Sequence, residues 1–117
     1  MSDEVTNIQH FNGSTDGLKK ALIKAGGIVV LDLFADWCGP CKMVGQVLPQ
    51  IAKKYPNVTF MKVNVDQNPE ISEKFNIQSI PQFKFFKDQK EDKPLEPVAS
   101  ITGANIGGIL NQIEMLQ

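Results

Sequence analysis

Cysteine is scarce in this chain: Cys38 and Cys41 are the only two among 117 residues. A secreted scaffold of this size would need more bridges, and a cytosolic chain does not normally keep a structural one, so the pair points to chemistry. Long apolar runs are missing too. The longest uninterrupted aliphatic stretch, residues 28–31, falls far short of the ~20 residues a membrane span needs. Charge of one sign is also lacking: 12 Lys plus Arg face 13 Asp plus Glu, a formal −1, and no basic run exceeds two residues. That argues against a nucleic-acid partner. Met1-Ser2-Asp3-Glu4-Val5 carries acid and no apolar h-region, so neither a secretory signal nor a transit peptide is expected. A soluble, cytoplasmic protein is the expectation. With one histidine, His10, and no second cysteine pair, a closed zinc site would lack its four ligands, and no metal is expected. Covalent haem would need histidine after Cys41, where Lys42 stands.

What is present suffices for a core. Leu, Ile, Val and Phe total 35 of 117, roughly 30%, above the ~20% below which disorder is the default. The length fits one domain, residues 1–117. A weak strand is expected at residues 5–11. A helix follows at 14–25, where Leu18, Ala21, Leu22 and Ala25 recur at helical spacing and Gly26-Gly27 stops it. Residues 28–35 are almost continuously apolar, as in a strand buried on both faces. Cys41, Val44, Val47, Leu48, Ile51 and Tyr55 share one stripe of a helix over 38–55. Strands are predicted at 58–65, 82–87 and 98–102, a short helix from Asn68-Pro69-Glu70 to about 75, and a terminal helix at 105–116. The order gives an α/β domain with helices on both sides of a central sheet, its first three strands parallel. The polar stretch 88–97, with two prolines, reads as a solvated loop.

Cys38-Gly39-Pro40-Cys41 falls where the most apolar strand turns into a helix. Cysteines at i and i+3 share a helix face, which suits a disulfide. The unpaired N–H groups and dipole of the first turn favour a thiolate at Cys38. Cys41 lies on the apolar stripe and should point inward, with Cys38 near solvent. Cys38 then attacks and Cys41 resolves. Lowering a thiol from ~8.5 to ~7 raises its thiolate fraction about sixteen-fold at pH 7, but reduced nucleophilicity leaves roughly a three-fold rate gain. The larger benefit is a better leaving group. A purely structural bridge closing so short a loop would contribute only about 2 kcal/mol.

Ala35-Asp36-Trp37-Cys38-Gly39-Pro40-Cys41-Lys42, with Asp32 upstream and Ile80-Pro81 downstream, resembles the thioredoxin family over essentially the whole chain. The resemblance implies the thioredoxin fold, a mixed sheet flanked by helices, and a general protein-disulfide reductase. It implies a redox-active Cys38–Cys41 disulfide tuned by Gly39 and Pro40, and no bound cofactor. Electrons would come from NADPH through a thioredoxin reductase, and the partners would be that reductase and disulfide-bearing proteins. A monomer is expected. Asp32 reads either as a partly exposed strand end or as a buried carboxylate of raised pKa serving Cys41 as proton acceptor, the role similar thioredoxins give it. Lys62 is either a snorkelling edge lysine or, as the resemblance implies, a modulator beside Asp32. An X-Pro bond alone would be expected trans, whereas the resemblance implies a cis Ile80–Pro81 bond facing the disulfide, its backbone polar groups free for substrate. With Trp37, Gly39, Pro40, Gly103 and Ala104 it would form a small apolar patch for an extended peptide. Intact Cys38, Cys41, Asp32 and Pro81 argue against a mere binding module, and the Gly-Pro dipeptide argues against an oxidase or isomerase.

Some features depart from the family pattern. Proline is at Pro49, and Gln46 stands where the family commonly has it; Gly45 would ease the resulting kink. Phe34 and Gln82 replace a frequent Trp and Thr, and the 88–97 loop lacks the usual turn glycine. Gly107-Gly108 would fray the last helix, at about 1 kcal/mol per glycine. His10 reads as an ordinary surface residue. Asn12-Gly13-Ser14 and Asn57-Val58-Thr59 match glycosylation sequons, which count as coincidence without a signal peptide.

Overall fold

The computed structural model describes residues 4–117. Its elements run β1 (Ile8–His10), α1 (Thr15–Ala25), β2 (Ile28–Phe34), α2 (Gly39–Lys54), β3 (Thr59–Asn64), α3 (Pro69–Lys74), β4 (Gln82–Lys87), β5 (Ala99–Thr102) and α4 (Ile106–Leu116). The strands form one sheet in the order β1-β3-β2-β4-β5. β1, β3 and β2 are parallel, as their helical crossovers require, while β4 and β5 are antiparallel additions.

The central strand explains the layering. Side chains alternate along β2, so Ile28 and Val30 join one core while Val29, Leu31 and Leu33 join the other. The first core packs β2, Phe60, Phe83 and Phe85 against Val44, Leu48 and Ile51 of α2 and Ile109 and Ile113 of α4. The second packs Met61, Val63 and Phe86 against Leu18 and Leu22 of α1 and Ile71 of α3. Each such side chain, once fully buried, contributes about 1.5–3 kcal/mol of transfer free energy. By the same alternation Asp32 faces α2, the helix that begins at the cysteines.

Three expectations change. The strand expected at 5–11 is confined to Ile8–His10, with one further backbone bond to β3 on each side, from the Phe60 N–H to the Asn7 carbonyl at 2.8 Å and from the Phe11 N–H to the Lys62 carbonyl at 2.9 Å. The Asn7 side-chain amide donates to the carbonyl of Ala52 in the last turn of α2 and to those of Tyr55 and Val58 beyond it. The 88–97 loop is anchored rather than merely solvated. Leu95 is buried in the second core, and the Gln89 amide donates to the carbonyls of Lys90, Lys93 and Pro94 at 3.1, 3.0 and 3.3 Å. Gly107 and Gly108 do not fray α4, since they lie in its first turn. There the Asn105 carboxamide oxygen accepts the Gly108 N–H at 2.9 Å, and a Cβ on residue 108 would meet Asn105 Nδ2 at 2.5 Å. α2 runs through Pro49 without interruption to Lys54.

Candidate functional site

β2 ends at Phe34, and four residues later the chain enters α2 with Cys38 as its N-cap. Cys38 is extended, with φ −87° and ψ 110°, which aims its side chain back across the first turn. Its sulfur accepts the Cys41 N–H at 3.2 Å, and it is disulfide-bonded to Cys41 across a Cα separation of 5.2 Å. Pro40, at the start of the helix, removes a donor the first turn would leave unpaired. A sulfur held at a helix N-terminus by a backbone amide is one whose negative charge, once the bond is reduced, the helix stabilises.

The expected difference in exposure does not hold. Cys38 is 4% exposed and Cys41 7%, so the outer cysteine is covered as well. Ala35 and both cysteines form a small cluster beneath Phe34, Val65 and Ile80. The helical stripe could place Cys41 inward, but the cover over Cys38 comes from segments distant in sequence. What separates the two sulfurs is the hydrogen bond from the helix amide, which goes to Cys38.

Asp32 is buried, 3% exposed, and desolvation pushes its pKa up from 3.8 to about 6 against the opposing pull of the Lys62 charge. Asp32 and Lys62 are cross-strand partners on β2 and β3. Lys62 is half-buried, with its ammonium 4.8 Å from the centre of the Phe34 ring. β3 lies between β1 and β2, so Lys62 is not on an edge strand, and its charge acts on the neighbouring acid. Lys62 borders a cavity of about 210 Å³ that reaches Cys41 between Phe34, Asp36 and Gly45. It also borders a second, of about 350 Å³, lined by His10, Asn12, Asp36, Asn64 and Gln67.

Trp37 is 70% exposed, yet fixed, because its indole N–H donates to Asp66 Oδ2 at 2.8 Å. The Asp66 backbone is held in turn by Asn64, whose side-chain oxygen accepts the N–H groups of Asp66 and Gln67 at 2.9 and 3.3 Å. Sequence reasoning missed Asn64 and Asp66. The signal was an Asx turn, Asn64-Val65-Asp66, between a strand and a helix start. Trp37, Val65, Ile77 and Ile80 wall a cleft of about 340 Å³ beside the cysteines. The Ile80–Pro81 bond is cis. Of the backbone groups expected to be free, the Pro81 carbonyl is not, since it accepts the Gly103 N–H at 2.8 Å. Ile80 has no backbone partner among the described residues. Gly103 adopts φ 88°, a conformation glycine alone takes without strain. Gly39 and Pro40 are exposed, while Ala104 is half-buried against the first core. Among the described residues, no three His, Cys, Asp or Glu side chains converge as metal ligands.

A cysteine pair at a strand–helix junction, covered by a cis-proline segment and backed by a buried acid, defines a thiol–disulfide site on a thioredoxin-like α/β sheet. The thioredoxin family model matches residues 9–112, and the chain belongs to the thioredoxin family. Its sheet and four helices are the thioredoxin fold. The structure of Trichomonas vaginalis thioredoxin superposes with a TM-score of 0.87 at 39% identity, covering 95% of this chain and 98% of that one. Thioredoxin 1 of Plasmodium falciparum is 36% identical over 94 residues, 80% of this chain and 85% of that protein. The H-type thioredoxin of Oryza sativa subsp. indica is 44% identical over 68 residues, 58% of this chain and 56% of the relative. The chain thus spans just over half the length of that rice relative.

Proposed function

We propose that this chain is a general protein-disulfide reductase acting as a single domain. Reduced Cys38, as thiolate, attacks one sulfur of a substrate disulfide; a mixed disulfide forms and the other substrate sulfur leaves as thiolate. Cys41 then loses its proton to Asp32 and attacks Cys38, breaking the mixed disulfide and releasing the second substrate thiol. The substrate gains two electrons and the Cys38–Cys41 disulfide is left behind. The observation that carries this reading is the Cys38 sulfur accepting the Cys41 amide at the head of α2, which marks Cys38 as the stabilised thiolate. Asp32, with a pKa of about 6, is poised to take a proton near neutrality. Lys62 modulates Asp32, Gly39 and Pro40 tune the disulfide, and Trp37, Ile80, Pro81, Gly103 and Ala104 receive an extended peptide.

The reading extends to recycling by a thioredoxin reductase drawing on NADPH, with no cofactor on this chain, and to a cytoplasmic monomer. It rests on family membership and on a disulfide that needs an external two-electron donor to be reset. Cys41→Ser tests it. Cys38 keeps its activation, but serine cannot resolve the intermediate, so cell extract passed over this variant should yield covalent adducts released by dithiothreitol. Cys38→Ser should yield few. Equal trapping by both would overturn the roles, and trapping by neither in an oxidised extract would favour a binding module.

A further inference from the structure

Asn12-Gly13 is the one Asn-Gly pair in the chain. Glycine has no Cβ to shield its backbone nitrogen, so in such a pair that nitrogen can attack the preceding side-chain carboxamide. The new N–Cγ bond forms as ammonia leaves. Water then opens the succinimide ring to aspartate or isoaspartate, and no oxidant or reductant takes part. Asn12 is exposed in the β1–α1 connection, so water has access.

Both reacting groups are nevertheless engaged, and by the same residue. Asn68, 3% exposed, accepts the Gly13 N–H on its side-chain oxygen at 2.9 Å. Its amide nitrogen donates to Asn12 Oδ1 at 3.0 Å and to the Asn64 carbonyl at 2.9 Å. The attacking nitrogen must shed its proton and turn towards Asn12 Cγ. Its hydrogen bond keeps that N–H aimed at Asn68 instead, and the second bond fixes the carboxamide in place. Being buried, Asn68 cannot swing out to solvent as a surface side chain would.

We propose that Asn12-Gly13 is a latent deamidation site of this protein, held closed by the Asn68 carboxamide. Asn12 lines the cavity that Lys62 and Asp36 border, so opening the site introduces a new carboxylate into the cavity that holds Lys62.

The test follows conversion at Asn12 by peptide mapping during incubation at mildly alkaline pH. Native wild-type protein should convert far more slowly than the same chain unfolded in urea, a comparison that needs no variant. Folded Asn68→Ala should convert about tenfold faster than wild type, the order of effect expected for losing two hydrogen bonds. Hydrogen exchange on that variant separates a local lock from a loosened fold: the Gly13 amide should exchange faster while core amides of β2 do not. Equal conversion in native and unfolded wild type would overturn the proposal. So would unchanged conversion in folded Asn68→Ala, or acceleration accompanied by faster exchange throughout the core.

Discussion

A carboxylate two residues from the end of the most apolar strand is costly unless it works, and Asp32 shows its cost as a pKa of about 6. The folded state holds this proton more tightly than the unfolded chain, whose ordinary value is 3.8. Well below pH 3.8 both states are protonated and the ionisation of Asp32 costs nothing. As pH rises through the interval from 3.8 to about 6 the unfolded chain ionises first, and the native state loses stability relative to it. The full loss is about 3 kcal/mol and levels off above the folded pKa. Asp32→Asn, a neutral isostere, should therefore be more stable than wild type by a margin that grows with pH over that interval. Urea denaturation at several pH values reads it. A margin independent of pH would make Asp32 an ordinary acid. The same variant should slow disulfide exchange where Cys41 gives up its proton. Removing the Lys62 charge should move the Asp32 titration upward.

The β3–α3 connection and the start of α4 show polar side chains setting backbone at the scale of elements. Asn64 organises the turn that carries Asp66, and Asp66 fixes the Trp37 indole as one wall of the cleft. Asn64→Ala should free the indole, lowering its fluorescence anisotropy and raising KM for a protein disulfide. Reduction of a small disulfide that does not fill the cleft should hardly change. Asn64→Asp keeps the acceptor oxygen and should restore both readouts. At the head of α4 the usual rule reverses. Gly→Ala in a helix normally gains about 1 kcal/mol, but a Cβ on residue 108 collides with Asn105, the residue that caps the helix. Gly108→Ala should instead destabilise by about 1 kcal/mol, the worth of an N-cap. Thermal unfolding would settle the sign.

Across the whole molecule, what could be read from the chain was what neighbours in sequence determine. The helical stripe of α2, the nearly continuous apolar run of β2 and the Gln82–Lys87 strand follow local periodicity, and the structure keeps them. Cys38 and Cys41 announced themselves by spacing and position. The burial of Cys38 under Ile80 and Val65, the Asp66 clamp on Trp37 and the engagement of Pro81 by Gly103 all join segments far apart in sequence, and no periodicity encodes them. The 88–97 loop is the same case at larger scale. Its polarity concealed Leu95, which reaches the second core beside α1 and is 8% exposed there, while Lys19 donates to the Glu91 carbonyl at 2.8 Å.

That anchorage gives the loop a measurable share in global stability. Leu95→Ala leaves a cavity between the loop and the second core, and leucine truncations at such sites cost about 2 kcal/mol or more. The midpoint of urea unfolding should fall accordingly, with the slope unchanged because the surface exposed on unfolding is nearly the same. Disulfide exchange should proceed at the wild-type rate. The cysteines belong to a different cluster, with Ala35, Phe34, Val65 and Ile80, and Leu95 is not part of it. An unchanged midpoint would mean the loop contributes nothing to the fold. A slowed exchange with unchanged stability would mean that the second core, through β2, sets the geometry of the strand end that delivers Cys38.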